Sequence, residues 1–86
     1  MRKLQLESKA FQDIQFWLAN DRRLLQKIMK LMQEAQRTPF EGTGKPEALR
    51  GDLSGFWSRR IDQEHRMVYE VTDELLIVHS LHGHYE

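Results

Sequence analysis

One glutamate, several arginines and a histidine near the end of the chain are the side chains best suited to chemistry. They centre on the stretch 38–69. A loop rich in glycine and proline there carries Glu47, and two strand-like segments come after it with Arg59, Arg60 and Arg66. His84 and Tyr85 stand just before the last residue, Glu86. Such a set suits metal-free cleavage of RNA. The ribose 2′-hydroxyl attacks the adjacent phosphate, and a base removes its proton. A cation stabilises the added negative charge, and an acid protonates the leaving oxygen. Each positioned acid or base is worth about 10²–10⁴-fold, and a guanidinium grips phosphate oxygens in two-pronged fashion.

Each of these residues also has a plainer reading. From spacing alone Glu47 reads first as an exposed loop carboxylate, and Arg66 as a strand residue paired with Glu64 or Glu70. His84 reads as a frayed end. Phe56 and Trp57 are either base-stacking groups or core. Arg23, Lys27 and Lys30, spaced i, i+4 and i+7, are either a solvated helix face or a basic rail for RNA phosphates. A metal pair at His82 and His84 has no nearby third ligand at a known spacing, so no metal and no cofactor is expected. Nucleotide-loop, HExxH and GxSxG patterns are absent, and Gly42 to Lys45 is too short for a phosphate loop.

The whole chain sets bounds on these readings. Its 86 residues make one domain, residues 1–86, with a modest core. Thirteen basic and thirteen acidic residues balance, which argues against coating of nucleic acid by bulk charge and leaves only local cation clusters. Cysteine is absent, as suits a reducing compartment. No secretory signal or membrane-spanning run is evident, so a cytoplasmic protein without membrane contact is the expectation.

The elements that must position the candidate residues emerge from periodicity. Lys3 to Glu7 alternates as a short strand, with Leu4 and Leu6 on one side. Ser8 is placed as the cap of a helix from Lys9 to Ala19, with Phe11, Ile14, Trp17 and Leu18 as its buried face and Phe16 at the edge. Asn20-Asp21 breaks the pattern before a second helix, Arg22 to Gln36, whose stripe is Leu24, Ile28, Leu31 and Ala35, widened by Leu25 and Met32. Thr38-Pro39 ends it. Residues 40–46 form a loop, Glu47 to Asp52 a short strand, and Phe56 to Asp62, His65 to Thr72 and Leu75 to His82 three more. Their short connections require an antiparallel meander.

Two successive helices on so small a sheet pack on one face and leave the other open. In the strand from His65, Met67, Tyr69 and Val71 are assigned to the core. Arg66, Val68 and Glu70 are assigned to the open face, because an unpaired buried arginine is costly. Leu75, Ile77 and Leu81 are assigned inward, and His82 and His84 to the open face with Arg66. From the residues alone the outcome is an α+β domain with an open polar sheet face.

Several ordered motifs then carry a resemblance over essentially the whole chain. They are Arg37 to Gly42, Gly44-Lys45-Pro46-Glu47, Leu53 to Ile61, Glu64-His65-Arg66, Val68-Tyr69 and the terminal His84-Tyr85. In these the sequence resembles the YoeB family of the RelE superfamily of toxins. That resemblance implies two antiparallel helices on one face of a twisted, mainly antiparallel sheet. It implies an endoribonuclease that cuts mRNA in the A site of the 70S ribosome without a metal and so arrests translation. It also implies a YefM-like antitoxin as partner, operon DNA contacted only through the antitoxin complex, and the capacity of such toxins to form homodimers.

By motif, Glu47 matches the general base, His84 the general acid, Arg66 the phosphate-stabilising arginine and Tyr85 the tyrosine that orders the substrate. Arg50, Arg60 and Glu64 match positions that line the RNA. Two departures stand out: the extra Glu86 beyond the terminal tyrosine, and Gly83 before the His-Tyr pair, which is expected to loosen the strand end. The rival expectation is a non-catalytic toxin of the same fold that blocks the ribosome or binds DNA gyrase. Relatives that poison gyrase lack the Glu–Arg–His set.

Overall fold

The computed structural model describes residues 1–83. His84, Tyr85 and Glu86, with the expectations attached to them, lie outside the described residues. The elements run β1 (Lys3–Leu6), α1 (Ser8–Asn20), α2 (Arg22–Arg37), β2 (Glu47–Ala48), a 3-10 turn (Gly51–Leu53), β3 (Phe56–Arg60), β4 (Arg66–Val71) and β5 (Leu75–Ser80). The sheet order is β1-β5-β4-β3-β2. The meander β3–β4–β5 and the β2–β3 pair are antiparallel, and β1 joins β5 in parallel. Two helices packed on a mixed, mainly antiparallel sheet make an α+β fold, as expected.

Helix α2 forms where the apolar stripe predicts it. Ile28, Leu31, Met32 and Ala35 are buried, with Leu24 and Leu25 packed against them. Asp21 starts the helix, its side chain accepting the Leu24 amide at 3.0 Å. Helix α1 differs from expectation in two respects. Its cap position is Glu7, and Ser8 is already the first helical residue. Its buried residues are Ala10, Asp13 and Trp17, whereas Phe11 and Leu18 are 55% and 48% exposed. Asp13 faces inward because its carboxylate accepts the Leu81 amide (2.9 Å) and an ion pair from Lys9 (2.8 Å). With those partners its burial carries little penalty.

On the sheet, Met67 and Tyr69 face the helices and are fully buried, with Val71 packed at the edge of the same core. In β5 the pleat is opposite in phase to the expectation. Leu76 and Val78 are fully buried, while Leu75 and Ile77 are partly exposed. The run Leu75-Leu76-Ile77-Val78 is apolar at both parities, so alternation carries no phase. The register across the irregularity at Val68/Tyr69 decides it, setting Val78 opposite Tyr69.

Leu81 is buried as expected, but by a different route. Strand β5 stops at Ser80, and α1 captures the next residue, with Trp17 Nε1 donating to the Leu81 carbonyl at 2.8 Å. His82 therefore does not continue onto the open face. Its ring packs against Phe16 (4.6 Å), Trp17 (5.3 Å) and His65 (4.7 Å) on the helix side. No helix among the described residues is long and apolar enough to cross a membrane.

Candidate active site

Strand β2 is only two residues long, and Glu47 opens it. It is placed by a loop that one buried arginine holds. Adjacent residues of β3 point to opposite sides of the sheet, so Arg59, opposite Met67, faces the helices and Arg60, opposite Arg66, faces away. Arg59 is 0% exposed. Its Nη1 pairs with Glu34 and donates to the Thr43 carbonyl; its Nη2 donates to the carbonyls of Thr38 and Glu41. Its Nε donates to the Tyr69 hydroxyl (3.1 Å), which in turn donates to the Pro39 carbonyl (2.7 Å). Burial pushes Tyr69 above its ordinary value against the opposing pull of Arg59.

Glu34 completes this clamp by accepting the amide (2.6 Å) and hydroxyl (2.9 Å) of Thr43. Partial burial acts to raise the Glu34 carboxyl. The hydrogen bonds from Thr43 and Arg59 and the guanidinium charge outweigh it, holding the group below its ordinary value. Gly42 lies against this carboxylate at φ +118°, where a side chain would collide with it. The loop that carries Glu47 is thus tied down by carbonyl contacts along 38–43, and Arg60 N adds a bond to the Gly44 carbonyl at 2.7 Å. The amino-acid sequence flagged Arg59 only as one of several arginines. Its alternation with Arg60 distinguishes their faces, but nothing local says which is inside.

On the opposite face, Arg66 Nη1 donates to Glu47 Oε1 at 3.3 Å. The Glu47 side chain is half exposed (53%) and that of Arg66 mostly covered (20% exposed). Arg66 thus contacts Glu47 rather than pairing with Glu70, whose carboxylate engages His79 Nε2 at 2.7 Å. Phe56, on the same face as Glu70, stacks on His79 at 4.6 Å. Trp57 points the other way, packing against the core and Phe40 (4.8 Å). Glu47, Arg60 and Arg66 therefore share the sheet face away from the helices.

Arg50 and Glu64 are exposed in the turns after β2 and before β4. The Glu64 amide and that of His65 are anchored on Asp62 Oδ1, both at 2.8 Å. Those amides overcome the effect of partial burial on Asp62 and, with His65 and Lys27 nearby, hold its carboxyl low. Of the three helix cations, Lys27 lines a cleft of about 330 Å³ with Thr43, Gly44, Lys45, Arg60 and Asp62. Lys27 and Lys30 border a second hollow against Glu34 and Thr43. Arg23 lines neither. The basic rail is thus only partly assembled: Lys27 reaches the wall that carries Arg60.

Residues 6–85 match the model of the YoeB-like toxins of bacterial type II toxin–antitoxin systems. The chain belongs to this family. Toxin YoeB of Escherichia coli is 48% identical over 83 residues, covering 96% of this chain and 99% of the relative. The solved YoeB/ParE toxin from Agrobacterium tumefaciens is 46% identical with a TM-score of 0.92, covering 96% of this chain and 99% of its own. A YoeB–YefM complex from Staphylococcus aureus is 36% identical with a TM-score of 0.87, each chain covered to 99%. As a YoeB-like toxin, the chain carries its Glu47–Arg66 contact on a scaffold shared from end to end with these relatives.

Proposed function

We propose that this toxin is a metal-independent endoribonuclease that cuts mRNA in the A site of the bacterial ribosome. The observation that carries the reading is the Glu47–Arg66 contact on the open sheet face, with Arg60 alongside on β3. Glu47 takes the proton of the ribose 2′-hydroxyl, whose oxygen attacks the neighbouring phosphorus. Arg66 stabilises the added charge on the pentavalent phosphate, and an arginine gives this both charge and bidentate geometry. His84 gives its proton to the departing 5′-oxygen, and Tyr85 orders the substrate. The bond from phosphorus to the 5′-oxygen breaks as that to the 2′-oxygen forms, leaving a 2′,3′-cyclic phosphate and a 5′-hydroxyl. Arg50, Arg60 and Glu64 line the RNA, and Lys27 extends the cationic wall through the cleft it shares with Arg60.

The same reading gives a single-domain cytoplasmic protein, since its target is the translating ribosome. A YefM-like antitoxin neutralises it, as the Staphylococcus aureus complex supports. Operon DNA is contacted through the antitoxin complex, and the toxin can self-associate. The experiment is to map mRNA ends after induction. Ends within translated codons that disappear in Glu47→Ala support the reading; intact messages with DNA damage show a gyrase-directed toxin instead.

A further inference from the structure

Residues 81–83 leave β5 along a track set by side chains from other elements. Asp13 and Trp17 of α1 hold the amide and carbonyl of Leu81. Two residues on, the restraint passes to the turn before β4. The Gly83 amide donates to His65 Nδ1 at 2.8 Å, and the Gly83 carbonyl accepts the Arg66 amide at 3.0 Å. Both backbone groups of Gly83 are thus taken by two consecutive residues. Gly83 adopts φ +82°, which glycine accepts at little cost. The glycine expected to loosen the chain end is instead clamped.

The His65 ring is itself fixed. It stands edge-on to Trp17 (4.8 Å, 82°) and lies against His82 (4.7 Å). Its amide donates to Asp62 Oδ1, and its carbonyl accepts the amides of Ile61 (2.9 Å) and Asp62 (3.3 Å). In this bond Nδ1 is the acceptor, so the ring hydrogen sits on Nε2.

We propose that His65 is a positioning residue for the proton donor: by accepting the Gly83 amide it fixes the covalent anchor of His84. The same turn feeds Arg66 into β4, so Gly83 and Arg66 share one backbone support. This rests on the ribonuclease reading for the role of His84. A catalytic group displaced by about 1 Å loses rate steeply, so the clasp acts on kcat rather than on RNA affinity.

The test separates the acceptor from the ring. His65→Phe keeps an aromatic ring against Trp17 and His82 but deletes the acceptor. His65→Asn deletes the ring and returns an amide oxygen near the Nδ1 position. His65→Gln, whose amide extends toward the Nε2 position, is a second acceptor deletion. Hydrogen exchange at the Gly83 amide is tracked by NMR, and kcat and KM by cleavage of ribosome-bound mRNA. Both acceptor deletions are expected to speed Gly83 exchange and lower kcat by at least about tenfold with KM unchanged, and Asn to restore most of both. Wild-type exchange in His65→Phe, or equal impairment of all three variants, overturns the proposal. Exchange that depends on the acceptor, in a wild type that cleaves no message, defeats the ribonuclease reading and with it the catalytic purpose of the clasp.

Discussion

Arg66 Nη1 reaches Glu47 Oε1 across β3, at 3.3 Å and over 19 residues of sequence. The register explains the reach. Glu47 stands opposite Ser58, Ser58 opposite Val68, and Arg66 is the next residue along β4 on the same face. The contact is thus a diagonal across three strands, and the middle strand sets its span. A carboxylate and a guanidinium this close can reach one phosphate and the hydroxyl beside it.

The geometry of Arg66, and not its charge alone, is expected to matter. Arg66→Lys keeps a cation but loses the planar fork. Turnover of ribosome-bound mRNA should fall by about 10²-fold or more in both Arg66→Lys and Arg66→Ala, with thermal stability unchanged. Wild-type turnover in the lysine variant would remove the bidentate role.

Arg59 is expected to matter for folding. Arg59→Met fills a similar volume but takes the guanidinium from Glu34 and leaves the carbonyls of Thr38, Glu41 and Thr43 without this donor. The loss should be about 3 kcal/mol by urea denaturation. Cleavage should also fall, because the loop carrying Glu47 loses its anchor. A variant as stable as the wild type would show that the clamp contributes little.

Glu34 predicts an acid-sensitive contribution to stability. Its carboxyl is held below the ordinary value of 4.5 in the folded chain. A carboxylate with a depressed folded value stabilises fully above its unfolded value and loses that contribution as pH falls through the folded one. The melting temperature of the wild type should therefore drop more steeply below pH 4.5 than that of Glu34→Gln, which lacks the titrating group. Parallel curves from neutral pH to pH 3, as a convenient lower limit of about that value, would contradict it.

How much was legible in the residues depends on how local the deciding contact is. Leu24, Ile28, Leu31 and Ala35 repeat along one helix face, so α2 and its buried side were readable, as was the meander from its short turns. Asp13 was not readable as a buried residue, because its partner is the Leu81 amide, 68 residues away. The same capture ends β5 and turns His82 toward α1. In β5 four consecutive apolar residues erased the alternation that would have set the pleat. Arg59 and Arg60 look equivalent in the sequence, and Glu34, 25 residues back, is what makes one of them interior. Family resemblance put Glu47 and Arg66 in one site, but their direct contact was not readable from spacing, since it depends on the register of three strands.

The most direct measurement is primer extension on translated mRNA in cells expressing the wild type or Glu47→Ala. The account predicts new 5′ ends within codons for the wild type and none for the variant, with both proteins folded and bound by the antitoxin. Equal cleavage by Glu47→Ala, or arrest of growth by the wild type without any new message ends, would contradict it.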